Sequence, residues 1–173
     1  MRTIHLRAAI ATDDPAAAFT LISDFTRYPS ISPDVHLVLT HPARVDGEAR
    51  NSDWEVNFRR GIMRWNEWET VDHERLRIEF AQTDGDFEDF QGSWQLTPTR
   101  GGAEVLFEVT YDFGIESLVG IMDPIAERVI KRTICSVLAE LFGGISVIEG
   151  GAALADLAEP APSAAAATTT GGR

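Results

Sequence analysis

From Trp54 to Tyr111 the chain alternates apolar and polar residues, and turn-forming stretches interrupt the alternation at Arg60-Gly61, His73-Glu74, Asp84-Gly85-Asp86 and Arg100-Gly101. Alternation with period two marks a strand with one buried face, and each turn decides which residues of the next strand share that face. With a two-residue turn at Arg60-Gly61, Phe58 meets Met63, Val56 meets Trp65 and Trp54 meets Glu67. A turn at His73-Glu74 adds Glu69 and Val71, then Leu76, Ile78 and Phe80, to the same face. A three-residue loop at Asp84-Gly85-Asp86, with the glycine in a bulge position, carries the face on to Phe90, Gly92, Trp94 and Leu96. Beyond Arg100-Gly101 it continues as Val105, Phe107, Val109 and Tyr111. The opposite face holds Glu55, Asn57, Arg59, Arg64, Asn66, Arg75, Arg77 and Glu79 and belongs in water. Successive antiparallel pairings thus agree on one oily surface, and such a surface needs a cover.

The cover is the helix read from Asp123 to about Phe142, with Asp123 as its N-cap and Pro124 at its first position. At roughly 100° per residue, Ile130, Ile134, Val137, Leu138 and Leu141 fall in one arc. Gly143-Gly144 ends it. Upstream, Thr3–Ile10 alternates Ile4, Leu6, Ala8 and Ile10 against His5 and Arg7, the pattern of a half-buried strand. Asp14-Pro15 opens a short helix over Ala16–Ser23 with Phe19 and Ile22 inward. Asp24–Pro33 reads as a second short helix or a turn, Val35–Leu39 as a strand and His41–Glu48 as a loop. After Ser146 alanine, threonine, proline and glycine take over, so one domain over 1–148 is expected, followed by a disordered tail over 149–173. The class is α+β: a curved antiparallel sheet wrapped around a long C-terminal helix, with an internal hydrophobic pocket of ~300–1,000 Å³ between them.

Fifteen Lys and Arg against 27 Asp and Glu leave a net charge of −12, which excludes nucleic acid and anionic membrane as main partners. Cys135 is the only cysteine, so there is no intramolecular disulfide and no cysteine-cluster metal site; beside Ile134 it reads as a buried, inert thiol. No apolar run reaches the ~20 residues of a membrane span and no signal-peptide pattern opens the chain, so the expected location is the cytoplasm. His5, His36, His41 and His73 have no metal-ligand spacing, and no nucleotide-binding loop or serine-hydrolase elbow is present. The expectation is no metal and no cofactor.

Two stretches resemble a known superfamily. DFTRYPSISPDV (Asp24–Val35) is similar to the segment after the first helices of polyketide cyclases and coenzyme Q-binding proteins. FEDFQGSWQLTP (Phe87–Pro98), followed by GGAEVLFEVTYDFGIESL (Gly101–Leu118) and the helix, is similar to their G-x-W strand and closing helix. The order of elements resembles the helix-grip (START-like, SRPBCC) fold over Ile4 to Phe142. The resemblance implies a hydrophobic small-molecule partner (polyketide, quinone or lipid) held between sheet and helix. For the cyclase branch it implies antibiotic biosynthesis, with an acyl carrier protein as a further candidate partner. Single-domain aromatase/cyclases present an arginine to the pocket from the strand matching Met63–Val71. This chain has Glu69 there, Glu67 where a serine is common, and Val35 where a tyrosine stands near the second short helix.

Glu67 and Glu69 are the charged side chains on the oily face. A carboxyl among Trp54, Trp65, Leu76 and Phe80 loses hydration, which raises its pKa and makes it an acid or base near neutrality. Proton abstraction next to a ketone, or protonation of a leaving hydroxyl, needs such a group. The other reading is a shifted register, a bulge, or a pocket mouth where both glutamates meet water. Tyr28 and Tyr111 are either phenol donors to a carbonyl or anchors of a strand end, and Tyr111 joins the glutamates as a catalytic candidate. Trp54, Phe58, Trp65, Ile78, Phe80, Phe90, Trp94 and Phe107 from the sheet, with Ile134 and Leu138 from the helix, are the candidate substrate contacts; the alternative is that the rings only fill the core. Glu127 and Lys131, spaced i,i+4, either meet a ligand at the mouth or form a surface ion pair. The enzyme reading is a polyketide cyclase/aromatase that folds and dehydrates its substrate by acid/base chemistry; the alternative is a quinone or lipid carrier without chemistry.

Overall fold

β1 (Arg2–Ile10) buries Ile4, Leu6, Ala8 and Ile10 and turns His5 outward, as its alternation requires. A computed structural model describes residues 1–41, 49–152 and 154; beyond His41 the expected loop lies outside the described residues, as does nearly all of the tail after Gly150. α1 (Pro15–Ser23) is capped by the Asp14 carboxylate, which accepts from the Ala17 N–H at 3.0 Å, and it buries Phe19 and Ile22. The stretch broken by prolines becomes a 3₁₀ turn (Phe25–Arg27) and α2 (Tyr28–Ile31), pinned by the Tyr28 hydroxyl donating to the Ile22 carbonyl at 2.6 Å. β2 (Val35–His41), β3 (Arg50–Phe58), β4 (Gly61–Asp72), β5 (Arg77–Gly85), β6 (Asp89–Thr99), β7 (Gly102–Asp112), α3 (Val119–Phe142) and β8 (Ser146–Glu149) complete the chain. The strands form one sheet in the order β2-β3-β4-β5-β6-β7-β1-β8, antiparallel throughout.

The oily face is the expected one, but three of its four turns sit elsewhere. The β3–β4 turn is Arg59-Arg60, so Trp54 lies opposite Trp65 and Val56 opposite Met63. Arg59, not a glycine, takes the left-handed conformation there, with φ 58°. The β4–β5 turn spans His73–Leu76, because the Asp72 carboxylate accepts from the N–H groups of Glu74 (3.0 Å) and Arg75 (2.9 Å) and holds a longer turn closed. Glu69 therefore faces Phe80 and Val71 faces Ile78. Gly85 stays in β5 opposite Trp65, and the bulge falls at Thr83. A Cβ on Gly85 would lie 2.5 Å from Trp65 Cβ, so the close approach needs glycine. The turn at Arg100-Gly101 is as expected, joining Thr99 to Gly102. Gly92, of the G-x-W strand, has the same role as Gly85: a Cβ would meet the Glu108 carbonyl oxygen at 2.2 Å and Phe80 Cζ at 2.6 Å.

α3 starts at Val119, fed directly by a 3₁₀ turn over Glu116–Leu118, so Asp123 and Pro124 lie inside it and Asp123 is not the N-cap. Pro124 in the second turn forfeits one bond, to the Gly120 carbonyl, which the flanking helix tolerates. Ala126, Ile134, Val137 and Leu138 are buried against the sheet, with Ile130 and Leu141 partly so. Arg132 clamps the helix to Asp34 through two bonds of 2.7 and 2.6 Å, and Glu127 is held by both Arg2 and Lys131 (2.7 Å). The Glu127–Lys131 pair is thus real but packed in, with Lys131 only 5% exposed. Cys135 is half-buried, and that burial pushes its thiol pKa up. β8, where no strand was expected, pairs with β1 at Arg7–Ala9, and Glu149 accepts from Arg7 at 2.7 Å. All four of its residues are exposed, so no alternation betrays it.

Candidate functional site

Between the concave sheet face and α3 lies a cavity of about 90 Å³, lined from the sheet by Trp54, Val56, Trp65, Glu67, Phe80, Phe90, Trp94 and Phe107. Phe25, Tyr28 and Val35 close one side, and Ile130, Thr133 and Ile134 of α3 form the roof. A second void of about 40 Å³ shares Val56, Trp65, Phe90 and Ile130 with the first and reaches Phe58, Met63, Phe87, Ala126 and Val129. The cavity lies where it was expected but is smaller than the anticipated size. Aromatic packing is the reason: Trp54 and Trp65 stack at 5.7 Å and 3°, Phe87 lies on Phe90 at 4.5 Å, and Trp94 meets Phe107 edge-on at 4.7 Å. Even a single benzene ring enters only if some of these side chains change rotamer.

The two glutamates sit on this face, both buried, at 3% (Glu67) and 0% (Glu69) exposure, and not at a watered mouth. Their surroundings differ. Glu69 is ion-paired with the Arg50 guanidinium and accepts from the Ser52 hydroxyl. Arg50 in turn donates to the Ser23 carbonyl at 2.7 Å and lies over the Phe25 ring, and Trp54 Nε1 donates to Ser52 Oγ at 2.7 Å. Glu67 has no ion pair among the described residues; Trp65 Nε1 donates to its Oε2 at 2.7 Å. Burial, reinforced by the neighbouring Glu69, outweighs that bond and the more distant Arg50 and pushes the Glu67 pKa up to about 8. At neutral pH Glu67 is therefore mostly a neutral carboxylic acid in an aromatic wall. It can give a proton and take one back.

Of the other sequence-derived candidates, Trp54, Trp65, Phe80, Phe90, Trp94, Phe107 and Ile134 line the main cavity and Phe58 the smaller void. Ile78 and Leu138 are buried, at 0% and 1%, but line neither. Tyr111 also lines neither; its hydroxyl donates to the Asp123 carbonyl at 3.2 Å and burial raises its pKa, so it anchors β7 to α3. Tyr28 lines the cavity with its hydroxyl already committed to Ile22. Arg50, Ser52 and Thr133 were missed. The alternation that placed Trp54, Val56 and Phe58 inside reaches Ser52 and Arg50 if carried back through even numbers, and Thr133 lies three residues after Ile130 on the oily stripe. Among the described residues no group of three His, Cys, Asp or Glu gathers as a metal-ligand set, and no helix is long and apolar enough to cross a membrane.

Residues 14–137 match a family model described as polyketide cyclase / dehydrase and lipid transport. Similar solved structures include TTHA0849 from Thermus thermophilus, 23% identical with a TM-score of 0.72 over 82% of this chain and 95% of that one. The Zhui aromatase/cyclase from Streptomyces sp. R1128 is 15% identical with a TM-score of 0.68, over 82% of this chain and 92% of its own. Major latex-like protein 151 from Panax ginseng is 16% identical with a TM-score of 0.62, over 82% and 95%. At these identities the likeness is one of fold. No curated protein sequence matches the chain.

Proposed function

The chain belongs to the polyketide cyclase / dehydrase and lipid transport family and has the helix-grip fold of the START-like superfamily, and from that premise we propose that it promotes cyclisation and dehydration of a hydrophobic poly-β-ketone or aromatic intermediate, with Glu67 as the proton-transfer group. The observation that carries this reading is a carboxyl group in an apolar cavity wall whose pKa lies near 8, the only carboxyl among the described lining residues. In ring closure the carboxyl protonates a ketone oxygen while an enol carbon of the same chain bonds to that carbonyl carbon. The carboxylate then recovers a proton from the enol oxygen. In dehydration the carboxyl protonates the leaving hydroxyl, the carbon–oxygen bond breaks, water departs, and the carboxylate takes the proton from the adjacent carbon as the double bond forms. A pKa near the working pH serves both directions of transfer. Glu69, neutralised by Arg50 and tied to Ser52, is a positioning group in this scheme.

The test is Glu67→Gln, which keeps the shape and an acceptor for Trp65 but cannot shuttle a proton. Turnover of a synthetic poly-β-ketone thioester should fall ~10²–10⁴-fold while its binding persists. Unchanged turnover would refute the mechanism. It would favour the second reading, a quinone or lipid carrier, for which the almost wholly apolar lining is the supporting observation.

A further inference from the structure

The cavity lining carries few polar side-chain atoms, and nearly all are spoken for. Tyr28 donates to Ile22, Trp54 to Ser52, and Trp65 to Glu67. Thr133 is the exception: it is 9% exposed, and its Oγ1 is buried without a hydrogen-bond partner among the described residues. A helical threonine normally donates to the carbonyl four residues back, as Thr20 does to Ala16 at 3.1 Å in α1. Thr133 forgoes that bond to Val129. A buried hydroxyl left unpaired is costly, and an unpaired group in a native cavity calls for a partner from outside the chain. Thr133 enters from the helix wall between Ile130 and Ile134, and Glu67 enters from the sheet wall. Every other lining contact is apolar or internally satisfied.

We propose that Thr133 is a second ligand anchor, so that the site selects an aromatic or enone ring bearing two oxygens, one bound by Glu67 and the other by Thr133. The inference rests on the cavity reading above and sharpens it. A hydrocarbon of the same shape fills the walls but leaves Thr133 unpaired, whereas a hydroxy-ketone or dihydric phenol satisfies both groups. The requirement matches the β-dioxygenated pattern of a folding poly-β-ketone, whose oxygens recur on alternate carbons.

Benzene, phenol, resorcinol and hydroquinone, which share one ring and differ in the number or position of their hydroxyls, are the smallest probes of this chemistry. Their dissociation constants are measured by NMR titration on wild type, Thr133→Val and Thr133→Ser. In wild type, resorcinol or hydroquinone should bind about 3- to 10-fold tighter than phenol, the gain of one net hydrogen bond. Thr133→Val should abolish that gain while leaving benzene affinity within about two-fold, and Thr133→Ser should restore it. An equal second-hydroxyl gain in wild type and Thr133→Val, or no gain in wild type, overturns the Thr133 anchor and leaves the cavity reading standing. Failure of all four probes to bind wild type overturns the cavity reading itself and the anchor with it.

Discussion

Replacing Glu67 with glutamine also isolates the energetic cost of holding a carboxyl in this wall, because only the wild type can ionise there. In the unfolded chain the group titrates near its ordinary 4.5, and in the fold near 8. Its folded pKa is raised, so the folded state holds a proton that the unfolded state has lost anywhere between these values. The stability contribution is fully present below about pH 4.5 and is lost as pH rises through about 8. Each pH unit removes about 1.4 kcal/mol, so the full window of about 3.5 units removes about 5 kcal/mol, against a typical total of ~5–15. The charged groups that act on Glu67 are Glu69 on its own strand and Arg50 on β3, and both are unchanged in the variant. The assay is urea unfolding of both proteins at about pH 5.5 and about pH 8, read as the difference between them at each pH. Between these conditions the variant should gain roughly 3 kcal/mol on wild type, whatever constant offset the amide introduces. A difference that does not move with pH would mean that Glu67 is ionised in the fold at neutrality. The proton donor on which the proposed cyclisation chemistry depends would then not exist.

Arg50→Met should destabilise the protein by about 3–5 kcal/mol, since it leaves the fully buried Glu69 carboxylate without its cation; the double variant Arg50→Met/Glu69→Met should recover most of that loss in the same urea assay. Gly92→Ala should cost about 1–3 kcal/mol or more, seen as a lower midpoint of denaturation with unchanged slope, because the new Cβ collides with the Glu108 carbonyl as well as with the Phe80 ring.

The faces of the sheet were legible in the sequence, as was the turn at Arg100-Gly101, but the other three turns were not. Shifting the β3–β4 turn from Arg60-Gly61 to Arg59-Arg60 moved the partner of Val56 by two residues, from Trp65 to Met63. The longer Asp72-capped turn likewise moved the partner of Glu69 to Phe80. Side chains repeat every two residues, so an even slip leaves the buried set intact while every cross-strand neighbour changes. That is why Trp54, Trp65, Phe80, Phe90, Trp94 and Phe107 were gathered on one wall while the pairings across β3–β4 and β4–β5 were not the expected ones. β8 was illegible for a different cause: it is four exposed residues held by backbone pairing to β1, and periodicity has nothing to register. The helix start was misplaced because Asp-Pro is a capping signal that here occurs inside a helix already begun.

The same two-residue slip decides the chemistry of the site. In the register expected from Arg60-Gly61, Arg50 would lie opposite Val71 and Ser52 opposite Glu69. In the observed register Arg50 lies directly across from Glu69, and Ser52 across from Glu67. The guanidinium thereby reaches one carboxyl and not the other. Ser52, whose hydroxyl serves Glu69 diagonally, brings Glu67 no ionic partner. Two glutamates with the same spacing, strand and face thus acquire opposite characters, one a compensated carboxylate and the other a neutral acid. Sequence alternation puts both inside, but only the pairing partner from β3 assigns their roles. The part-buried Arg50 of β3 is spent on Glu69, and Glu67 is left with the Trp65 indole as its hydrogen-bond donor, the arrangement on which the proposed proton transfer rests.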